Sequence, residues 1–304
     1  LTFRQWLLLL ATASSFASSA VLNKFLVEFL PPFTLAAMRV LLAAPVAFSV
    51  LLLMDRDLPR RGPDSRTVFL AALGVIVVPY CALAIGQQSI ASGLSAILYS
   101  TMPLFTLLIA HFVLHDERIG VRKLLGIGLG FAGVAAILGP SMLGGLGGHL
   151  VAELITLLGP LAYAAGMVLM RRSRHIDPIG LTAGMFLFAV LVLLPVALLI
   201  ERPWTLRTPW NTLGWLLTLA LFGTILPALL NYLLVQRVGA TRASIGMFLV
   251  PMIAVLLGAV FLDERLPLSA FVGMGFILAG SLIVNGFGGG WLGRLVPARA
   301  ASPG

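Results

Sequence analysis

The chain has 304 residues, 60% of them hydrophobic and 10% charged, with a mean hydropathy of +1.06. A soluble domain carries about 25% charged residues, so this chain has too few polar groups to cover its surface in water and reads as a polytopic membrane protein. A net charge of +9 would point to nucleic acid in a soluble protein, but here it is the charge of short loops, and the single Cys81 excludes both a disulfide framework and a cysteine-ligated metal site.

A membrane-crossing helix needs roughly 17–25 mostly apolar residues, and lipid forbids unpaired backbone groups. Ten stretches qualify, at about 4–27, 33–54, 67–87, 92–114, 120–138, 151–170, 179–200, 212–235, 240–262 and 267–287. The first follows Leu1-Thr2-Phe3-Arg4-Gln5-Trp6 and is expected to be a retained span rather than a cleaved leader. Its Ser14, Ser15, Ser18, Ser19 and Asn23 suit close helix packing, and Lys24 and Glu28 lie at its far end. After Pro31-Pro32, the second span carries Arg39 about two turns in. An Arg at a span centre costs roughly 2.5–3.5 kcal/mol on insertion scales, so a partner is expected. Glu28 is the nearest acid in sequence, and the alternative is an anion site for a substrate carboxylate.

The segment from Asp55 to Asp64 leads to the third span, where Tyr80, Ala84 and Gln87 follow Pro79. In the fourth, Ser95, Tyr99, Met102 and Thr106 recur at helical spacing around Pro103. His111 and His115 near its end lack an evident third ligand, so no metal is expected. Asp116-Glu117-Arg118 comes next, then a fifth span with Gly126, Gly130 and Gly133. Gly139-Pro140, Gly144-Gly145 and Gly147-Gly148 break the chain before the sixth span, which holds Tyr163 and Met167 one turn apart. In the eighth, Asn231 lies one turn past Pro227. In the ninth, Ser244 and Phe248 precede Pro251. Asp263-Glu264-Arg265 leads to the tenth, with Gly273, Gly275 and Gly280. Glu117 and Glu264 lie at helix ends next to Arg118 and Arg265, so structural ion pairs are expected of them, substrate contact being the alternative. Both glycine series read as close packing, a dimer face being the other use.

The order of these features repeats. Pro79, Gln88, Ile97 and Pro103 recur as Pro227, Gln236, Ile245 and Pro251 at a constant offset of 148 (227 − 79), and the offset is 147 at Glu117 and Glu264 (264 − 117). The expected organisation is a first five-helix repeat over 1–140, a Gly-rich connection over 141–150, a second five-helix repeat over 151–290 and a cytoplasmic tail over 291–304. With a cytoplasmic N-terminus, 15 of the 20 Lys and Arg fall on the inner side and 4 on the outer, Arg39 being inside a span. Basic residues favour the cytoplasm, so both termini are expected there. Five spans per half then make the repeats inverted, the layout of alternating-access carriers. The expected fold class is all-α, with ten transmembrane helices as two inverted five-helix repeats.

Taken together, these residues are familiar. The 5 + 5 layout, the run Leu30-Pro31-Pro32-Phe33-Thr34-Leu35-Ala36-Ala37-Met38-Arg39, the mid-helix Pro103 and Pro251 and the paired Glu117 and Glu264 resemble the EamA-type members of the drug/metabolite transporter superfamily. By overall similarity the chain looks most like the YddG-type bacterial amino-acid exporters. The resemblance implies efflux of amino acids or related metabolites across the bacterial inner membrane, through a cavity framed mainly by the third, fourth, eighth and ninth helices.

A carrier needs helices that bend and groups that read the solute. Pro79, Pro103, Pro227 and Pro251 each delete an intrahelical hydrogen bond and are the candidate hinges. Tyr80, Gln87, Ser95, Tyr99, Met102, Tyr163, Asn231, Ser244 and Phe248 are the candidate substrate-binding residues, since polar groups in lipid need a partner or an aqueous cavity. Helix gluing is the competing use of the same groups. Lys24 and Arg39 are the charges in or near a span. All eleven acidic residues lie in loops or near helix ends, which disfavours antiport of cationic drugs against protons and favours facilitated flux. The expected protein is a monomeric, multi-pass inner-membrane carrier for a small molecule. It is not an enzyme, and neither a cofactor nor nucleic acid is expected. The alternative is a carrier for drugs or other metabolites, with or without proton coupling.

Overall fold

The computed structural model describes residues 2–59, 62–114, 119–143, 148–173, 175–206 and 208–285, with the backbone alone at 143, 148, 240–242, 244 and 245. The described residues are helical and contain no strand. They form ten rods: α1 Phe3–Leu26, α2 Pro32–Leu53, α3 Pro63–Gln87, α4 Ser92–Val113, α5 Val121–Leu143, α6 Gly148–Arg172, α7 Pro178–Val196 continued by a π turn Ala197–Glu201, α8 Asn211–Val238, α9 Ala240–Phe261 and α10 Leu268–Val284. Eight helices are long and apolar enough to cross a bilayer, and Gly246–Phe261 and Leu268–Val284 are shorter apolar ones. The proline and glycine breakers sit between rods, with one difference at mid-chain. There α5 runs through Pro140 to Leu143 and α6 starts at Gly148, so helix extends into the stretch expected to be a connection. The expected tail over 291–304 lies outside the described residues.

Helix starts are built from local chemistry. Thr2 and Gln5 form a reciprocal capping box on α1. Asp177 accepts from the amides of Ile179 (3.1 Å) and Gly180 (2.8 Å) at the start of α7. Pro32, Pro63 and Pro178 occupy first-turn positions, where a missing N–H costs nothing.

Two interior turns are irregular and matched. Leu73–Val77 in α3 and Leu221–Ile225 in α8 are π turns, again 148 apart (221 − 73). Each ends in an amide that reaches five residues back, Val78 to Leu73 and Leu226 to Leu221. Pro79 and Pro227 follow directly, and a proline cannot donate to the carbonyl four residues before it. A widened turn accommodates that loss without breaking the rod. The other proline pair differs. α4 is interrupted at Ser100 and Thr101 just before Pro103, whereas α9 runs unbroken through Pro251.

The helices meet closely where glycine leaves room. A Cβ on Gly126 would lie 2.8 Å from the Gly280 carbonyl oxygen, and one on Gly133 would lie 2.6 Å from that of Gly273. Rising numbers in α5 thus meet falling numbers in α10, so the two pack antiparallel, and each contact maps onto the other under the 147-residue offset. These glycines are used within one chain, as small residues at membrane helix contacts commonly are. The apolar core is shared out along the bundle. Val40, Val68, Leu181 and Leu193 join α2, α3 and α7, Ile97, Leu98, Ile137 and Ile277 join α4, α5 and α10, and Leu26, Leu35 and Leu219 join α1, α2 and α8.

Candidate functional site: a polar seam inside the bundle

Arg39 sits 4% exposed inside the bundle. Its Nε donates to Thr224 Oγ1 (2.8 Å), and its Nη2 donates to Ser19 Oγ (2.8 Å) and to the Gly223 carbonyl (2.8 Å). Gly223 is four residues before Pro227, so this is the carbonyl that the proline leaves without its intrahelical donor. The neighbouring Phe222 carbonyl accepts from Ser15 Oγ (2.7 Å). The guanidinium also lies over the Tyr80 ring, 4.0 Å from its centroid, a favourable cation–π placement. The expectation of Glu28 as partner is corrected. Glu28 is exposed at the end of α1, while α8 offers freed carbonyls and a hydroxyl directly across from Arg39.

One to two turns towards the end of α3 lies a second knot. Gln87, fully buried, accepts from Asn23 Nδ2 (2.8 Å) and donates to Ser95 Oγ (2.7 Å) and the Ala20 carbonyl (3.0 Å). Ser95 donates onward to the Ser92 carbonyl (2.8 Å), and Lys24 Nζ donates to the backbone carbonyl of Gln87 (2.6 Å). Each polar side-chain atom of Gln87 and Ser95 has a protein partner. Fully satisfied networks of this kind rigidify a core, so Gln87 and Ser95 tie α1, α3 and α4 together.

Among the other candidate readers, Tyr99 is also engaged. Its hydroxyl donates to the Pro79 carbonyl (2.6 Å), and its ring rests on Gly159, where any Cβ would collide with it. Tyr80, which neighbours both Tyr99 and Tyr163, is half-buried. The hydroxyls of Tyr80 and Tyr163 and the carboxamide of Asn231 have no hydrogen-bond partner among the described residues, and none of the three is fully buried. Met102 and Phe248 are half-buried, and Thr106 bonds back to the Met102 carbonyl (2.8 Å). The side chain of Ser244 lies outside the described residues. The structure thus joins Arg39 to Tyr80, and Gln87 to Ser95, in two adjoining knots, and leaves three polar groups without a hydrogen-bond partner among the described residues.

Carboxylates do work that sequence neighbours did not indicate. Glu264 accepts from the Ser92 amide (2.6 Å), Ser92 Oγ (2.8 Å) and the Gly93 amide (3.2 Å) at the start of α4. Its expected pairing with Arg265 is therefore corrected. A helix N-terminus presents unsatisfied amides and the positive end of a dipole, and a carboxylate answers both. Glu201 does the same for α2, accepting from the Phe33 amide (3.0 Å), the Thr34 amide (2.6 Å) and Thr34 Oγ1 (2.7 Å). Glu117 and Arg118 lie outside the described residues. Glu153 in α6 is 4% exposed, with Oε1 accepting from Ser141 (3.1 Å) and Oε2 buried without a partner among the described residues. At the opposite end of the molecule, His175 lies 3.0 Å from Asp64 and Arg56 lies 3.9 Å from Asp177, all partly exposed. Two shallow apolar clefts, about 160 Å³ around Pro59, Val68 and Phe188 and about 310 Å³ around Leu73, Val78 and Ala162, touch neither knot.

Sequence reasoning passed over Thr224, Glu201 and both π turns, and treated Ser19 and Asn23 as packing residues. Thr224 and the π turns had a legible signal in their place just before Pro227 and Pro79. Glu201 had none.

The pattern of the EamA-like transporter family matches the sequence twice, over residues 4–139 and again over 150–286. The chain belongs to the EamA-like transporter family. It is accordingly a multi-pass membrane transporter, and the family match falls separately on each side of the mid-chain break. It is similar to an uncharacterized transporter of Archaeoglobus fulgidus, 27% identical over 281 residues that cover 92% of this chain and 98% of that one. It is similar to the uncharacterized inner membrane transporter YedA of Escherichia coli K12, 29% identical over 264 residues covering 85% and 83%. A WAT1-related chloroplastic protein of Arabidopsis thaliana is 27% identical over 302 residues covering 93% and 70%. A solved crystal structure has the same fold, with a TM-score of 0.61 over 90% of this chain and 97% of that chain at 18% identity.

Proposed function

We propose that this transporter is a monomeric bacterial inner-membrane carrier that exports amino acids, large neutral or aromatic ones, by alternating access and without an ion gradient. Ten helices cross the membrane as two inverted five-helix halves, over 1–140 and 151–290, with both termini in the cytoplasm. The antiparallel crossing of α5 and α10, which occupy the same place in the two halves, supports the inversion. The observation that carries the solute reading is that the half-buried polar side chains Tyr80, Tyr163 and Asn231 have no hydrogen-bond partner among the described residues, in a bundle whose α3 and α8 carry π turns at matching positions. Phenol rings, a carboxamide and Met102 suit a zwitterion with an apolar side chain. Pro79, Pro103, Pro227 and Pro251 are the candidate hinges of this motion, and the matched π turns favour Pro79 and Pro227 among them.

The test is flux in proteoliposomes, with a panel of labelled amino acids and a cationic dye. Saturable exchange of phenylalanine or leucine at equal pH on both sides is expected. Flux confined to the dye, or strictly dependent on a pH gradient, overturns the reading. One observation favours a proton-coupled efflux carrier as the second reading. Glu153 keeps a carboxylate oxygen buried and without a partner among the described residues, and such a group is most easily accommodated when it holds a proton. Under that reading Glu153→Gln abolishes gradient-driven transport. Under the first it leaves exchange intact.

A further inference from the structure

Arg39 carries more charge than its protein partners use. Thr224, Ser19 and the Gly223 carbonyl are all neutral, and together they occupy the N–H of Nε and both N–H of Nη2. No acid is among its partners, and Nη1, with two N–H groups, has no acceptor among the described residues. The carboxylates at this end of the bundle are committed elsewhere or exposed: Glu201 caps α2 and Glu264 caps α4, while Glu28 is exposed. Lys24, the second cation here, is likewise bonded to a neutral carbonyl. A buried cation without a counter-ion is costly in a low-dielectric interior, and inside a membrane bundle such charges mark solute pathways. Filling the carbonyl freed by Pro227 does not explain the charge, because a neutral amide or hydroxyl would serve.

We infer that Arg39 reads the negative charge of the transported solute, which makes the solute class carboxylate-bearing. The three bonds to α8 and α1 fix the guanidinium, and the Tyr80 face supports it, so that Nη1 is held ready for one carboxylate oxygen. A single free nitrogen among tyrosine rings fits a monocarboxylate with an apolar body. A phosphate dianion would require more donors than this seam leaves free. Arginine suits the task because its charge is permanent and its N–H groups are pre-oriented. For the solute's path, this inference rests on the carrier reading above.

The experiment uses the purified full-length carrier and three probes, L-phenylalanine, L-phenylalanine methyl ester and 3-phenylpropionate. In proteoliposomes, phenylalanine and phenylpropionate are expected to inhibit labelled phenylalanine exchange, with the ester at least about tenfold weaker, the loss expected when one charge-assisted hydrogen bond is removed. Arg39→Lys is expected to raise KM while keeping the preference for the acids, and Arg39→Gln to erase that preference. Thr224→Val keeps the charge but removes the Nε acceptor and the hydroxyl's own bond to the Leu219 carbonyl (3.3 Å), so it is expected to raise KM while retaining the preference for the acids, which separates loss of the charge from loss of a bond in the seam. A second readout is independent of amino-acid transport: protection of the detergent-solubilised carrier from heat by sodium phenylpropionate and not by phenethylammonium chloride. Protection that depends on Arg39, without amino-acid flux, upholds the anion site and removes the amino-acid reading. Equal action of ester and acid on the wild type, or an acid preference that survives in Arg39→Gln, overturns the inference.

Discussion

Glu264 shows what a single side chain contributes at the end of α4. Its two oxygens take both amides and the hydroxyl that the first turn offers, and bonds to a charged acceptor are worth about 1.5–3 kcal/mol. Glu264→Ala should lower the melting temperature in detergent by several degrees, by the usual relation between stability and midpoint. The same cap can be removed from a different position. A Cβ on Gly258 would collide with the Glu264 carboxylate and come within 2.8 Å of Ser92 Oγ. Gly258→Ala should therefore cost a similar amount, and the double variant should cost clearly less than the sum, because both changes remove one contact. Additive losses in thermal unfolding would show that Glu264 and Gly258 act separately. These partners were illegible in the sequence for a plain reason. Glu264 and Ser92 are 172 residues apart, and Arg39 and Thr224 are 185 apart. Proximity along the chain suggested Arg265 and Glu28 instead, and in a helical bundle side-chain bonds are settled between rods rather than within loops.

At the scale of the helices much more was legible. Apolar run length placed all ten rods to within a few residues, because lipid leaves the backbone no alternative to helix. The glycine series also announced close contact, and the structure separates those that touch from those that do not. Gly133 faces the Gly273 carbonyl at contact distance, whereas nothing lies within 4 Å of the Cβ position of Gly128. Gly133→Leu should force α5 and α10 apart and cost at least the 1–3 kcal/mol typical of overpacking, so that monodisperse protein is lost or melts early. Gly128→Leu should be tolerated. Equal behaviour of the two in size-exclusion and melting experiments would mean that the glycine contact is not what joins these helices. The π turns were not legible as such, since periodicity registers the proline but not how the chain absorbs it. They sharpen the hinge expectation by setting Pro79 and Pro227, whose turns match, apart from Pro251, whose helix is unbroken. Pro227→Ala restores an amide able to claim the Gly223 carbonyl now held by Arg39. It should raise thermal stability, an interior proline costing about 3 kcal/mol in a helix, while flux falls about tenfold or more, a barrier increase of roughly 1.4 kcal/mol. Pro251→Ala should change flux much less. Undiminished flux in Pro227→Ala would remove α8 from the list of moving parts.

For the molecule as a whole, the two ends of the bundle are held differently. At the end bearing Gln87 and Ser92, residues of the second half reach across to the first: Glu201 caps α2, Glu264 caps α4, and Gly93 packs against Val255 of α9. At the other end the second segment of α4, Met102–Val113, lies against α6 and α10, without the broad packing on α1 and α9 that the first segment makes. Among the described residues, α2–α3 and α6–α7 are tied there by the partly exposed pairs of Asp64 with His175 and Arg56 with Asp177, by the close approach of Gly180 to the Asp57 carbonyl and by an apolar cluster that holds Val68 and Ile176. The charge count assigns the first end to the outside and the second to the cytoplasm. Cysteines introduced at Glu28 and at Asp64, on a Cys81→Ser background, test that assignment. An impermeant thiol reagent applied to intact cells should label the first and spare the second, and the reverse pattern would invert the topology. Whether the outer contact is a gate is a separate matter. A Cβ on Gly258 would approach Ser92 Oγ to 2.8 Å, so cysteines at Ser92 and Gly258 are close enough to be joined by a disulfide. In a carrier that alternates, this end must part once per cycle. Oxidation of the Ser92→Cys, Gly258→Cys pair should therefore stop exchange, reduction should restore it to the level of the reduced pair, and each single cysteine should be insensitive to oxidant. If the cross-linked protein still exchanges solute at the rate of its reduced form, the contact between α4 and α9 is a fixed joint, and the parting must occur along another line of the bundle.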